Sequence, residues 1–155
     1  MEAKKLVAQL TASKQYFDRS TECLTEDDST FAPSDGLMTA AQQVAHVAQT
    51  VDWFFEGAFR PEGFDLDFAG HAAEVAKVSS LTAAREWLDR AFGDAEKALV
   101  ERAGELAAPI AEGPVMGGQP RAAIVGAIAD HTSHHRGALT VYSRLRGHVP
   151  AMPYM

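Results

Sequence analysis

The sequence predicts an all-α protein, a single four-helix bundle spanning residues 1–155. Three observations predict it. Alanine, the best helix former, occurs twenty-eight times. Apolar residues recur three and four positions apart, while period-two alternation is scarce. The length, 155 residues, suits one core, since two would need about 200 residues or more.

The first helix runs from about Glu2 to Leu24, with Leu6, Leu10, Phe17 and Leu24 on one stripe. The stretch TEDDSTFAPSDG follows; Pro33 and Gly36 among Asp, Ser and Thr make it a loop. The second helix runs from about Thr39 to Phe59. Thr39 and Gln42 form a capping box at its start, and Val44, Ala48, Val51 and Phe55 line its aliphatic face. The connection Arg60–Ser80 carries Pro61, Gly63 and Gly70 and reads as irregular. It is far longer than a helical hairpin needs. It therefore has room to carry the chain back across the bundle, which predicts parallel second and third helices in an up-down-down-up order.

The third helix is expected over Leu81–Ala103, stopping at Gly104, with Leu88, Phe92, Ala95 and Leu99 inward. Arg85/Asp89 and Glu86/Arg90 fall at i,i+4 on its outer face, where they would pair. After the loop AAPIAEGPVMGGQP, the fourth helix begins near Pro120 and ends at Gly147. Pro150 and Pro153 keep the tail from continuing it. Phe54, Phe59 and Trp87 are left outside these stripes, which suggests an apolar flank and a homodimer.

Composition excludes several classes of function. Hydrophobic residues at 46% and charged residues at 23% exclude disorder across the whole chain. The net charge is −7 with no Lys/Arg cluster, so no nucleic-acid partner is expected. Cys23 stands alone, which excludes an internal disulfide framework and a multi-cysteine zinc site and fits a reducing compartment. The most apolar run, Ala122–Ala129, is far short of the roughly 20 residues that cross a membrane. With no signal-like apolar run at the N-terminus, a cytoplasmic location and no membrane partner are expected. The glycines of GPVMGGQP lack the Lys-Ser/Thr of a phosphate-binding loop.

The histidines carry the chemistry. Three lie in the segment DHTSHHRG. At about 100° per residue, His131 and His135 share the core-facing stripe of the fourth helix, and His134 falls about 60° to the other side, beside Asp130. Two imidazoles at i,i+4 have Cβ atoms about 5–6 Å apart and can reach one metal ion at about 2.0–2.1 Å. The alternative is a pair of core histidines hydrogen-bonded to neighbours or water, since unpaired burial would be unfavourable. Beyond the pair, His134 is a candidate proton shuttle, unless it merely faces a neighbouring helix. Asp130 is a candidate to orient His131 or to pair with Arg136. Gly137, inside the helix, suggests a close approach at that point.

Three further histidines are available as a third ligand. His148 follows a helix-stopping glycine and is expected in solvent. His71, in the long connection, is expected on the surface. His46 lies off the aliphatic stripe of its helix, on a face with Gln42, Thr50 and Trp53; that face is either solvated or the wall of a polar cavity. Thr50, Trp53 and Tyr142 are the candidates for such a wall.

The segments Ala45-His46-Val47 and Asp130-His131-Thr132-Ser133-His134-His135-Arg136-Gly137 resemble the DinB-like family, also called YfiT-like. The tail from Arg146-Gly147 to Pro150 and Pro153 is similar to that family's ending, and the resemblance covers nearly the whole chain. It implies one divalent metal, zinc or nickel or else iron, held by His46, His131 and His135 with open positions. It implies that His134 is not a ligand. It also implies a metal-dependent thiol S-transferase or thiol-dependent isomerase, with a low-molecular-weight thiol as cosubstrate and a small electrophile as substrate. A metal-hydroxide hydrolase and a non-catalytic metal- or ligand-binding bundle are the alternatives.

Overall fold

Local signals set the helix ends in the computed structural model, which describes residues 3–155. Helix α1 spans Ala3–Thr21. Helix α2 spans Ala40–Phe59, and its capping box forms as the sequence predicts: Thr39 Oγ1 accepts from the Gln42 N–H at 3.2 Å, and Gln42 Oε1 accepts from the Thr39 N–H at 2.9 Å. Helix α4 spans Leu81–Glu101, capped by Ser80, and α5 spans Ile124–Leu145. The long connection is not wholly irregular: Phe68–Ala76 forms a fifth helix, α3, started by Asp67, whose Oδ1 accepts from the Gly70 N–H at 2.9 Å.

Specific contacts fix how the long helices run. Along α1, Thr11, Lys14 and Thr21 meet Glu96, Asp89 and Arg85 in turn, so α1 and α4 are antiparallel. The Leu81 N–H donates to Ser29 Oγ at 2.9 Å, and the Ser29 carbonyl accepts from the Ala41 N–H at 3.0 Å, so α2 and α4 start together. At their far ends the Arg102 guanidinium lies 4.0 Å over the Phe59 ring. The two helices are therefore co-directional. Helix α5 runs against α2, since Met38 meets Tyr142 and His46 meets His131. Helix α2 sits at the centre, packing on α3, α4 and α5. Its buried residues accordingly spread around the helix, from Ala40, Ala41 and Val44 to Val47, Ala48 and Val51. The core is closed by Leu10 and Phe17 of α1, Leu88 and Phe92 of α4, and Ile128 and Leu139 of α5.

Several local expectations are corrected. Arg85 does not pair with Asp89; it donates to the Thr21 carbonyl at 2.8 Å, and Asp89 takes Lys14 at 2.6 Å. The Glu86/Arg90 pair is not among the ion pairs of the described residues. Contacts across a helix interface, partly shielded from water, outweigh exposed i,i+4 pairs. The three aromatics outside the stripes are occupied within the chain. Phe59 lies under the guanidinium groups of Arg102 and Arg121, the Trp87 indole donates to Asp52 Oδ2 at 2.7 Å, and Phe54 packs on Trp53 and Phe64. No helix among the described residues is long and apolar enough to cross a membrane.

His148 is also not free in solvent. The buried Asp28, in the α1–α2 loop, accepts from Arg146 Nε at 2.7 Å, from His148 Nε2 at 2.8 Å and from the Thr25 N–H at 2.9 Å. Burial pushes the Asp28 carboxyl up, but these three donors prevail and hold it at about 2.

Candidate metal centre

The antiparallel contact of α2 with α5 brings the site together. Gln43 and His46 lie one turn apart on the side of α2 that meets α5, and His131 and His135 stack at i,i+4 on the facing stripe. His131 Nε2 lies 3.2 Å from His46 Nε2 and 3.2 Å from His135 Nε2. All three imidazoles offer ring nitrogens within 4.8 Å of one another, and no carboxylate joins the cluster among the described residues.

The tautomer of His135 follows from its partners. The Tyr142 hydroxyl donates to the Met38 carbonyl at 2.9 Å, so it accepts from Gln43 Nε2, 3.4 Å away. The other end of that amide, Oε1, therefore faces His135 Nδ1, with which it is in hydrogen-bonding contact. An amide oxygen only accepts. His135 must thus carry its proton on Nδ1, which leaves a lone pair on Nε2 pointing into the cluster. Gln43 plays the part that an outer hydrogen-bond partner plays in many metal–histidine sites.

Electrostatics act in the same direction. Burial pushes His131 down to about 4, with repulsion from His46 and His134 adding to it. Burial pushes His135 to about 3, again with its imidazole neighbours contributing, and His46 is lowered first by burial and then by His134. His131 and His135 are neutral at pH 7, the form that binds a metal. Tetrahedral bonds of about 2.0–2.1 Å would place two ligand nitrogens about 3.3 Å apart. The observed 3.2 Å separations and the neutral, all-nitrogen donor set fit one divalent ion.

His46 and His131 also line a cavity of about 510 Å³ between α2 and α3. Its walls are mostly apolar, from Met38, Trp53 and Phe54 to Phe68 and Val75. Thr50 and Trp53 stand in the wall. Tyr142 does not: it is buried beneath Gln43. Its angle on α5 resembles that of His131, but eleven residues separate them, about 16 Å along a helix. Asp130 is exposed and takes no part in the hydrogen bonding of the cluster. His134 is exposed too, its ring edge-on to His135 at 4.9 Å, outside the cluster of nitrogens. Arg136 lies about 6 Å from the rings of Tyr16 and Tyr154, away from the site. Gly137 faces open space, so no close approach explains it.

Two residues escaped the sequence reading. Gln43 has no titratable group, but its place three residues before His46, on the same side of the helix, was the available signal. His71 is not merely on the surface; it lines the cavity from α3.

A sequence model described as the DinB family matches residues 1–155, the whole chain. Among curated proteins no match is found.

Proposed function

From the premise that the chain belongs to the DinB family, we propose that it is a divalent-metal protein that transfers a low-molecular-weight thiol to a small electrophile, or isomerises a substrate with the help of such a thiol. One observation carries this reading: three imidazole nitrogens converge where His46 and His131 open onto an apolar cavity. His46, His131 and His135 would hold the ion, and Gln43 keeps the His135 lone pair aimed at it. Zinc suits three imidazoles with an open position, and nickel would compete for them. A bound divalent ion supplies Lewis acidity, which lowers the proton affinity of a thiol and favours the thiolate.

The chain's own residues do the rest. Met38, Trp53, Phe54 and Val75 exclude water from the cavity and give an apolar electrophile a surface to bury. Among the described residues no Lys or Arg lines the cavity, so the charged parts of the thiol would stay at its mouth. In the transfer, a carbon–sulfur bond forms, the bond from the same carbon to the leaving group breaks, and the thiol proton ends on the departing group or in solvent.

The test is a panel of low-molecular-weight thiols with monochlorobimane as electrophile. Turnover with one thiol, lost in His131→Ala, is the expected result. No turnover with any thiol would refute the transfer reading.

A further inference from the structure

Helix α2 carries three glutamines, and two of their amides are fully engaged. Gln42 accepts from the Thr39 N–H and donates to the Ala76 carbonyl, while Gln43 joins the Tyr142 hydroxyl to His135. The Gln49 amide has no hydrogen-bond partner among the described residues, although Gln49 is only 7% exposed. Its neighbour Thr50, also 7% exposed, is unpartnered in the same way. A buried helical hydroxyl commonly donates to the carbonyl one turn earlier, as Thr21 and Ser143 do here at 2.9 Å; Thr50 does not. Buried polar groups in folded proteins usually have a partner. Neither side chain is sealed off, as the unpartnered Thr132 Oγ1 is. Both residues line the cavity onto which His46 and His131 open, so their free polar atoms face its interior.

We propose that Gln49 and Thr50 form a subsite for a neutral group that both donates and accepts a hydrogen bond, such as a carboxamide carried on a flat apolar body. The inference rests on reading the cavity as the substrate site, and it names the class of molecule that site takes. With His46 at zero, Gln49 lies at about −60° around α2 and Thr50 at about +40°, the side on which Gln43 meets α5. The two polar groups therefore flank the line of His46 one turn further along, about 5 Å up the helix axis. An amide side chain offers donors and an acceptor, and a hydroxyl offers one of each kind. A carboxamide satisfies both. A ketone would leave the Gln49 carbonyl without a donor. A carboxylate or an amine would enter charged, and among the described residues no Lys, Arg, Asp or Glu lines the cavity to balance it. Trp53, Phe54 and Phe68 give the rest of the molecule an aromatic wall, and about 510 Å³ is room for a small molecule. Gln49 and Thr50 thus select the substrate and set its orientation, while the histidine cluster stands one turn away.

The test measures binding of 2-naphthamide, 2-acetylnaphthalene and naphthalene to the full-length protein by equilibrium dialysis. The three share a ring body; the first brings a donor and an acceptor, the second an acceptor alone, the third neither. The wild type is expected to bind 2-naphthamide about tenfold tighter than 2-acetylnaphthalene. Gln49→Met keeps the length of the side chain and removes its amide. That variant is expected to bind naphthalene as the wild type does, with the amide-to-ketone preference falling to near one. Thr50→Val should weaken 2-naphthamide about tenfold against naphthalene, and Thr50→Ser, which keeps the hydroxyl, should not. Should Gln49→Met lose naphthalene as well, through a fault in folding, the two Thr50 variants decide. A wild type with no preference for the amide, a preference unchanged in Gln49→Met, or a wild type that binds none of the three overturns the proposal. The dialysis contains no thiol and reads no turnover. Failure of the thiol-transfer reading therefore shows as absent turnover, and failure of this proposal as an absent or unmoved amide preference.

Discussion

Where α5 ends, His148 and Arg146 meet a buried carboxylate, Asp28; midway along α2 and α5, three imidazoles meet one another with no acid among them in the described residues. The first group closes on itself. The carboxylate takes three donors, its pKa falls to about 2, and nothing from outside is required. The second group does not close. Gln43 fixes the His135 proton on the far nitrogen, burial keeps His131 and His135 neutral, and the Nε2 atoms of the three rings meet at 3.2 Å about His131. The difference lies less in the histidines than in what faces them. A histidine beside a buried acid serves as a clamp, whereas neutral histidines facing only each other form a donor set that could hold a cation.

That contrast can be broken experimentally. The largest effect is expected from His131→Ala: elemental analysis of the wild type should give about one divalent ion per chain, and the variant should bind metal more than about 100-fold more weakly, exceeding the usual loss of an outer partner. His46→Ala and His135→Ala should behave alike. Next comes Gln43→Leu, which touches no ion but frees the His135 tautomer. Competition with a chelator should show affinity lowered by about 10- to 100-fold.

The clamp should respond in stability rather than in metal content. Asp28→Asn is expected to lose roughly 2 kcal/mol in urea unfolding at neutral pH, with metal content unchanged. The sign follows from a folded pKa of about 2 against an ordinary 3.8. The contribution is complete above 3.8 and is lost as pH falls through about 2, so the variant and the wild type should converge in strong acid. The smallest effect sharpens the comparison from the other side. His134→Ala removes an exposed imidazole next to the cluster and should change metal affinity by less than about threefold, well under the loss expected when an outer hydrogen-bond partner is removed. A loss equal to that of His46→Ala would mean that the ligand set is wrong.

The sequence showed the long helices because their periodic apolar residues, such as Leu88, Phe92, Ala95 and Leu99, do face the core. It hid α3 for a physical reason: the helix has nine residues, and Val75 is the one it buries, too few for a period to show. The i,i+4 pair of His131 and His135 was legible from one helix alone. His46 was not, because a stripe argument assumes one buried face, and α2, packed on three neighbours, has several. Tyr142 marks another limit of the same reasoning, since phase around a helix gives a direction but no height. His148 and Asp28 could not be paired from sequence, because 120 residues separate them and neither lies in a helix that would give it a phase.

The two ends of the histidine cluster are also far apart in the chain: His131 comes 85 positions after His46. During synthesis α2 is finished long before α5 exists. An ion held by all three histidines would be complete in its ligands only after α5 has docked, so its full binding would report a completed bundle. An ion held by His46, His131 and His135 would make the departure of α5 conditional on its release, and so would turn an ordinary fluctuation of the last helix into a slow event.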